Sequence, residues 1–224
     1  MSDLTPAALP AIAFIGGGNM ASAILGGLLR QGLPTASVEV VEPFEEARAR
    51  LARDFGITPQ PSASAALGRC QVVVWAVKPQ TFADAARPVR AFTPGALHLS
   101  VAAGIPSESI AGWLGTDNVV RAMPNTPALV GQGMSGLFAR PAVSADGRRL
   151  VEQVLAPTGQ LLWVDTESAL EAVTAVSGSG PAYVFYFIEA MTEAGIEMGL
   201  PPAQAQQLAI GTFTGASALA QAST

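Results

Sequence analysis

Apolar positions in the first 165 residues fall into short, near-continuous runs, and between them lie stretches with the 3.6-residue period of amphipathic helices. Ala11–Gly16, Val38–Glu42, Gln71–Val77, Leu97–Val101, Val119–Met123 and Leu161–Val164 read as strands. Their lack of polar alternation is expected of a parallel sheet covered on both faces. Met20–Arg30, Phe44–Asp54, Gln80–Phe92, Pro106–Leu114 and Ala145–Leu155 read as the intervening helices. Strands alternating with helices predict the α/β class, with a doubly wound, mostly parallel sheet.

The β pattern stops after Asp165. Thr166–Val176 has a helical pattern, and Ser177-Gly178-Ser179-Gly180 is expected to break the chain before Pro181. Pro181–Gly199 and Pro202–Ala222 read as two helices, each with proline in or near its first turn, where the missing N–H costs nothing. Ala182–Ile188 (Ala-Tyr-Val-Phe-Tyr-Phe-Ile) is apolar on every side of a helix, so it must be covered all round. So short a helical tail does not bury it well alone, which points to a partner subunit. Glu189, Glu193 and Glu197 recur every four residues and read as a solvated helix face.

Composition narrows the class further. Hydrophobic residues make up 50% of the 224 and charged residues 13%, the reverse of a disordered chain. No apolar run reaches the roughly 18 residues of a membrane span, and the opening residues have no basic secretory leader, so a cytoplasmic protein with no membrane association is expected. Cys70 is the single cysteine and His98 the single histidine, which excludes an internal disulfide and most metal sites; no metal is expected. All 12 basic residues lie in residues 1–150 with 10 acidic ones, a balance of +2; from residue 151 there are seven acids and no base, a balance of −7. That shift predicts two units, 1–165 and 166–224. It also argues against nucleic acid as a partner, because phosphate contacts need Lys or Arg.

The most informative local pattern is Ile12-Ala13-Phe14-Ile15-Gly16-Gly17-Gly18-Asn19-Met20-Ala21, a strand running into Gly-x-Gly-x-x-Ala and then a helix. Gly16 permits the tight turn, Gly18 lets a pyrophosphate approach the backbone, and Ala21 keeps helix and strand close. The helix N-terminus offers free N–H groups and a positive dipole end to the phosphates. The expected fold is therefore Rossmann-type and the expected cofactor NADPH or NADH. Glu42 lies 24 residues after Gly18, near the distance of an acid that bonds the ribose 2′-hydroxyl of NAD and repels the 2′-phosphate of NADP. A solvated residue closing the strand is the alternative, and Arg48 and Arg50 are close enough to offset the charge.

Ligands of such sheets lie beyond the carboxyl ends of the strands, so the turns there are candidates. Ala76-Val77-Lys78-Pro79 holds the single lysine, and Ala102-Ala103-Gly104 is small enough for close approach of a nicotinamide ribose. Met123-Pro124-Asn125-Thr126-Pro127 brackets two short polar side chains between prolines. Ser177-Gly178-Ser179-Gly180 is open to two readings: N–H groups for an anion such as a carboxylate, or close packing of the helix on the sheet domain. His98 within its strand and Cys70 before one read as core residues.

Ile15–Ala21, Ala76–Gln80, Ser100–Gly104, Met123–Pro127 and Ser177–Tyr183 resemble, in order and spacing, the segments of pyrroline-5-carboxylate reductase, the last enzyme of proline biosynthesis. The similarity runs over essentially the whole chain. It implies an N-terminal dinucleotide-binding domain and a smaller all-helical dimerisation domain, with intertwined homodimers often gathered in larger rings. Carried over by position, Gly16, Gly17, Gly18, Asn19, Met20, Ala21, Ala76–Pro79 and Ala102–Gly104 would line the cofactor. Met123, Pro124, Asn125 and Thr126 would sit by the nicotinamide, and Ser177–Gly180 by the substrate, 1-pyrroline-5-carboxylate. Family members continue beyond the position of Thr224 into a Ser-x-Gly-Gly-Thr-Thr-like segment that helps bind the substrate carboxylate, and they usually prefer NADPH. Glu42 stands where a phosphate-friendly residue would be expected.

Reduction of a protonated cyclic imine asks for proximity and orientation more than for acid–base groups, in keeping with a chain poor in His and Cys. Thr126 and Ser177 are the hydroxyls that could orient the imine nitrogen. Two other classes compete: a hydroxyacid or other imine oxidoreductase of the same architecture, and a non-catalytic dinucleotide sensor. The hydroxyacid class would need a lysine after the nucleotide domain, and none follows Lys78.

Overall fold

The structure, a computed structural model, describes residues 9–223. The chain runs β1 (Ile12–Ile15), α1 (Asn19–Arg30), β2 (Val38–Val41), α2 (Glu45–Phe55), β3 (Val72–Trp75), α3 (Phe82–Arg90), β4 (Leu97–Ser100) and α4 (Ser107–Leu114). It continues through β5 (Val119–Met123), β6 (Gly133–Ala139), α5 (Ala145–Leu155), β7 (Gly159–Trp163), α6 (Ala169–Val173), α7 (Gly180–Glu197) and α8 (Pro202–Ala222). The seven strands form one sheet in the order β2-β1-β3-β4-β5-β6-β7, parallel throughout except where β6 runs against β5.

Successive strand residues face opposite sides of the sheet, and here both sides are covered. On β1, Ile12 and Phe14 join a core with Ile24, Leu28 and Leu51 of α1 and α2. Ala13 and Ile15 join a second core with Phe82, Val89 and Ile110 of α3 and α4. This is why the strands read as unbroken apolar runs. The chain winds from β1 out to β2, then crosses back to β3 on the other side of β1, so the strand order reverses between β1 and β3. Beyond the carboxyl ends of those two strands lies the crevice where such sheets receive ligands.

Strand positions agree with the sequence pattern to within one or two residues, with two exceptions. The antiparallel β6 has no strong signal, because Gly133-Met134-Ser135-Gly136 interrupts its β-formers. Those glycines have packing reasons: a Cβ on Gly133 would stand 2.7 Å from Thr158 O, and one on Gly136 would stand 2.7 Å from the Val173 methyls. The second exception is Ser177–Gly180, expected to break the chain. Instead Thr174–Gly178 forms a single π-helical turn, closed by the Ser179 N–H on Thr174 O at 2.8 Å, that carries α6 almost straight into α7. Glycine and serine here widen a helix rather than end one.

α7 and α8 pack as a hairpin through Gly195 against Ala205, where a Cβ on the glycine would come within 3.0 Å of the alanine's. No residue of α7 is buried within the single chain, and Phe185, Tyr186 and Phe187 are 62%, 69% and 57% exposed. Glu189, Glu193 and Glu197 are exposed as expected. Among the described residues, no helix is long and apolar enough to cross a membrane.

Candidate active site

The glycine turn is built by steric exclusion. Gly16 has φ +92°, and a Cβ there would lie 2.6 Å from Ala76 O, so the turn from β1 sits directly against the end of β3. A Cβ on Gly17 would meet Leu51 Cδ1 at 2.4 Å, which holds the loop down on α2. Gly18 differs: its backbone is extended, and a Cβ there would meet nothing within 4 Å, so the space above it is open. Gly18 caps α1 with no side-chain hydrogen bond, and the first turn of α1 carries no acid. The first N–H groups of α1 thus lie beside open space at a positive helix end, and these residues fit a pyrophosphate. Asn19 is exposed, Met20 half-buried and Ala21 buried where α1 meets the sheet.

Glu42 is not a solvated strand end; it is only 6% exposed. Its Oε2 accepts the Gly17 N–H at 2.8 Å and its Oε1 accepts the Phe44 N–H at 2.9 Å, so the carboxylate ties the end of β2 to the glycine turn. Arg50 donates to Gly17 O at 2.8 Å, and Arg48 donates to Glu42 O at 3.0 Å and to Pro43 O at 2.7 Å.

β1, β3, β4 and β5 run parallel, so their carboxyl ends share one edge. Ala76 and Val77 are half-buried there, with Lys78 and Pro79 exposed beside them. Ala102 is buried, its N–H donating to Ser100 Oγ at 3.3 Å, while Ala103 and Gly104 are exposed. Met123 is half-buried, Pro124 buried and Thr126 exposed. The sequence pattern therefore names residues that the fold brings to one edge.

The helical region reaches that edge through Asn125. Its Nδ2 donates to Ser177 O at 3.2 Å and to Ser177 Oγ at 3.3 Å, and its Oδ1 accepts the Met134 N–H at 2.9 Å. Ser177 Oγ in turn donates to Met134 O at 3.2 Å. Asn125 and Ser177 line a cavity of about 330 Å³ with Pro127, Gly180, Pro181 and Phe185. Of the two readings of Ser177–Gly180, close packing fits the geometry: a Cβ on Gly178 would meet Met123 Cε at 2.7 Å, and the Ser179 N–H is spent on Thr174 O.

Sequence reasoning missed a second link between the same regions. Glu167, just before α6, accepts the Ser107 N–H at 2.6 Å, the Ser107 hydroxyl at 2.5 Å and Arg121 Nη1 at 2.5 Å. Burial alone would raise the Glu167 pKa, but the Ser107 and Arg121 hydrogen bonds outweigh it and hold it below its ordinary value. An arginine within an otherwise apolar strand, Arg121 of β5, was the available signal. His98 and Cys70 are core residues as expected. His98 Nδ1 accepts from Trp75 Nε1 at 3.1 Å, and burial pushes the His98 pKa down to about 4. Burial likewise pushes the Cys70 thiol up to about 11, which leaves it unreactive.

A doubly wound sheet with a glycine turn at its switch point, followed by a helical region reaching back to the same edge, defines a nicotinamide-dinucleotide oxidoreductase. Residues 11–104 match the family model described as NADP oxidoreductase, coenzyme F420-dependent. Residues 167–224 match that for pyrroline-5-carboxylate reductase dimerisation. The chain is 46% identical over 216 residues to the pyrroline-5-carboxylate reductase of Pseudomonas aeruginosa, covering 96% of this chain and 79% of that one. It is 36% identical to the enzyme of that name from Glycine max, covering 96% and 78%. The structure is similar to that of a pyrroline-5-carboxylate reductase from Coxiella burnetii, with TM-score 0.88 and 34% identity over 95% of this chain and 80% of that one. It is also similar to the Plasmodium falciparum pyrroline carboxylate reductase with NADP bound, with TM-score 0.83 and 25% identity over 95% and 79%. The chain belongs to the pyrroline-5-carboxylate reductase family.

Proposed function

We propose that this protein reduces the C=N bond of 1-pyrroline-5-carboxylate to give L-proline, the last step of proline biosynthesis, with NADH or NADPH as the reductant. The observation that carries this reading is the Asn125–Ser177 contact, which closes the helical region onto the strand ends beside the glycine turn. Relatives named for this activity, up to 46% identical over most of the chain, support it.

In this reading, Gly16–Ala21, Ala76–Pro79 and Ala102–Gly104 hold the dinucleotide, Met123–Thr126 border the nicotinamide, and Ser177–Gly180 border the substrate. The reduced nicotinamide, when bound, supplies the hydride. The chain's own part is to bind, orient and exclude water. Gly18 and the start of α1 anchor the phosphates, the Thr126 and Ser177 hydroxyls orient the imine nitrogen, and Phe185 and Pro181 form an apolar wall of the 330 Å³ cavity. Residues 1–165 act as the dinucleotide unit and 166–224 as the helical dimerisation and substrate unit. The dimers assemble into a larger ring, and the enzyme works in the cytoplasm.

The test follows nicotinamide absorbance at 340 nm after the imine is added to purified protein, with NADH and NADPH in parallel. Imine-dependent oxidation of the cofactor with stoichiometric proline is the expected result. Tight dinucleotide binding without turnover would sink the reductase reading and leave a sensing role.

A further inference from the structure

The end of β2 carries a second decision, which dinucleotide the enzyme takes. It rests on the reading of this chain as a dinucleotide-dependent reductase. We propose that Glu42 makes the protein selective for NADH over NADPH, and that Phe44 provides the platform for the adenine ring.

Glu42 follows β2 directly, beside the glycine turn, where the adenosine ribose of a dinucleotide lies in this fold. Its two carboxylate oxygens each accept one backbone N–H, from Gly17 at 2.8 Å and from Phe44 at 2.9 Å. A carboxylate offers about four lone-pair sites, so each oxygen retains acceptor capacity for a ribose hydroxyl. The two amide bonds also stop the side chain from swinging away. A 2′-phosphate brought to the same place would set a second anion against a carboxylate that cannot leave, in a partly buried site where water screens poorly.

The nearest cations each direct a guanidinium nitrogen to a backbone carbonyl, which fixes their position and leaves their charge in place. Arg48 is turned back onto the carbonyls of Glu42 and Pro43, and Arg50 onto that of Gly17. Both hold the loop in shape. The first turn of α2, the other local source of positive potential, carries Glu45 and Glu46. Both are exposed, and they offset the positive potential of that helix end. Phe44 lies between them and Glu42 and is 73% exposed. A large aromatic ring so open, next to a ribose-binding acid, is placed to stack an adenine.

The experiment measures dissociation constants for NADH and NADPH on the unmodified protein by titration calorimetry, with no imine present. NADH is expected to bind at least about tenfold more tightly, corresponding to about 1.4 kcal/mol. Equal affinity, or tighter NADPH, overturns the proposal while leaving the reductase reading intact; binding of neither overturns both. Glu42→Gln keeps size and one acceptor but removes the charge. It is expected to bring the two constants within about threefold of each other, and an unchanged ratio in a folded Glu42→Gln protein overturns the assignment to Glu42. Should that variant not fold, ADP-ribose and 2′-phospho-ADP-ribose are compared on the unmodified protein. Preference for the former places the discrimination at the adenosine end, and equal affinity overturns it. Phe44→Ala is expected to weaken NADH and NADPH alike by about tenfold, as the loss of one stacking platform does. No change in either constant removes Phe44 from the proposal.

Discussion

Asn125 and Ser177 lie 52 residues apart in the chain, and the Asn125 amide donates to both the carbonyl and the hydroxyl of Ser177, at 3.2 and 3.3 Å. One residue belongs to the turn after β5 and the other to the π turn that leads into α7. With Met134 N–H on its oxygen, the Asn125 side chain joins sheet edge, antiparallel strand and helical region in one network. Within the π turn, Asn125 gives the Ser177 carbonyl and hydroxyl a hydrogen-bond partner from outside the helix.

Asn125→Ala should therefore act on geometry more than on affinity for the dinucleotide. Loss of these part-buried hydrogen bonds is expected to cost about 1–3 kcal/mol in transition-state stabilisation, a fall of roughly fivefold to 150-fold in kcat/KM for the imine. Steady-state kinetics together with cofactor titration check this. A drop in dinucleotide affinity as large as the drop in kcat/KM would refute the positioning role.

Gly16 and Gly18 should respond in opposite ways. Gly16→Ala forces a side chain into φ +92° and against Ala76 O, so a loss of about 1–3 kcal/mol in stability is expected in urea melts. Gly18→Val puts its side chain into open space in an extended backbone, so stability should fall by no more than about 1 kcal/mol, the cost of a poorer N-cap, while dinucleotide affinity falls by more than about tenfold. A Gly18→Val protein that binds cofactor normally would show that the phosphates lie elsewhere.

Acid should destabilise the protein in two windows. The folded-state pKa of His98 is about 4 against an ordinary 6.5, so below 6.5 the unfolded chain takes up a proton that the native state refuses. Stability then falls as pH drops from 6.5 towards 4, with a slope of up to about 1.4 kcal/mol per pH unit from this group. Glu167 has a lowered pKa, so its contribution is present above its ordinary value of 4.5 and is lost as pH falls through the lower folded value. Urea melts across pH 3–7 check both. His98→Gln should flatten the upper window and leave the lower one, and an unchanged slope in that variant would acquit His98.

The aromatic face of α7 should behave as an interface. Tyr186→Asp or Phe187→Asp places a charge on a face that is more than half exposed in the single chain and lies in the matched dimerisation region. A shift to monomer in size-exclusion chromatography with light scattering is the expected outcome, because an unpaired buried carboxylate is costly. A homo-oligomer unaffected by either change would move the interface to another face.

Much of this was legible in the residue order. The apolar runs, the glycine turn and the small residues at the strand ends depend on near neighbours, and each carries its own local signal. From those alone follow the α/β class, the dinucleotide turn and the need of Ala182–Ile188 for a partner. What only the tertiary structure decided depends on residues far apart. β6 is a strand because Gly133 and Gly136 let Thr158 and Val173 approach, although its own β-formers are few. Ser177–Gly180 continues a helix instead of breaking it, because Asn125 and Met134 satisfy the widened turn. Glu42, legible either as a solvated strand end or as a ribose ligand, is buried because Gly17, 25 residues earlier, donates its N–H to it. Local pattern is written in propensity and period, whereas the partners of a buried polar group are settled only when the fold brings them within hydrogen-bonding distance.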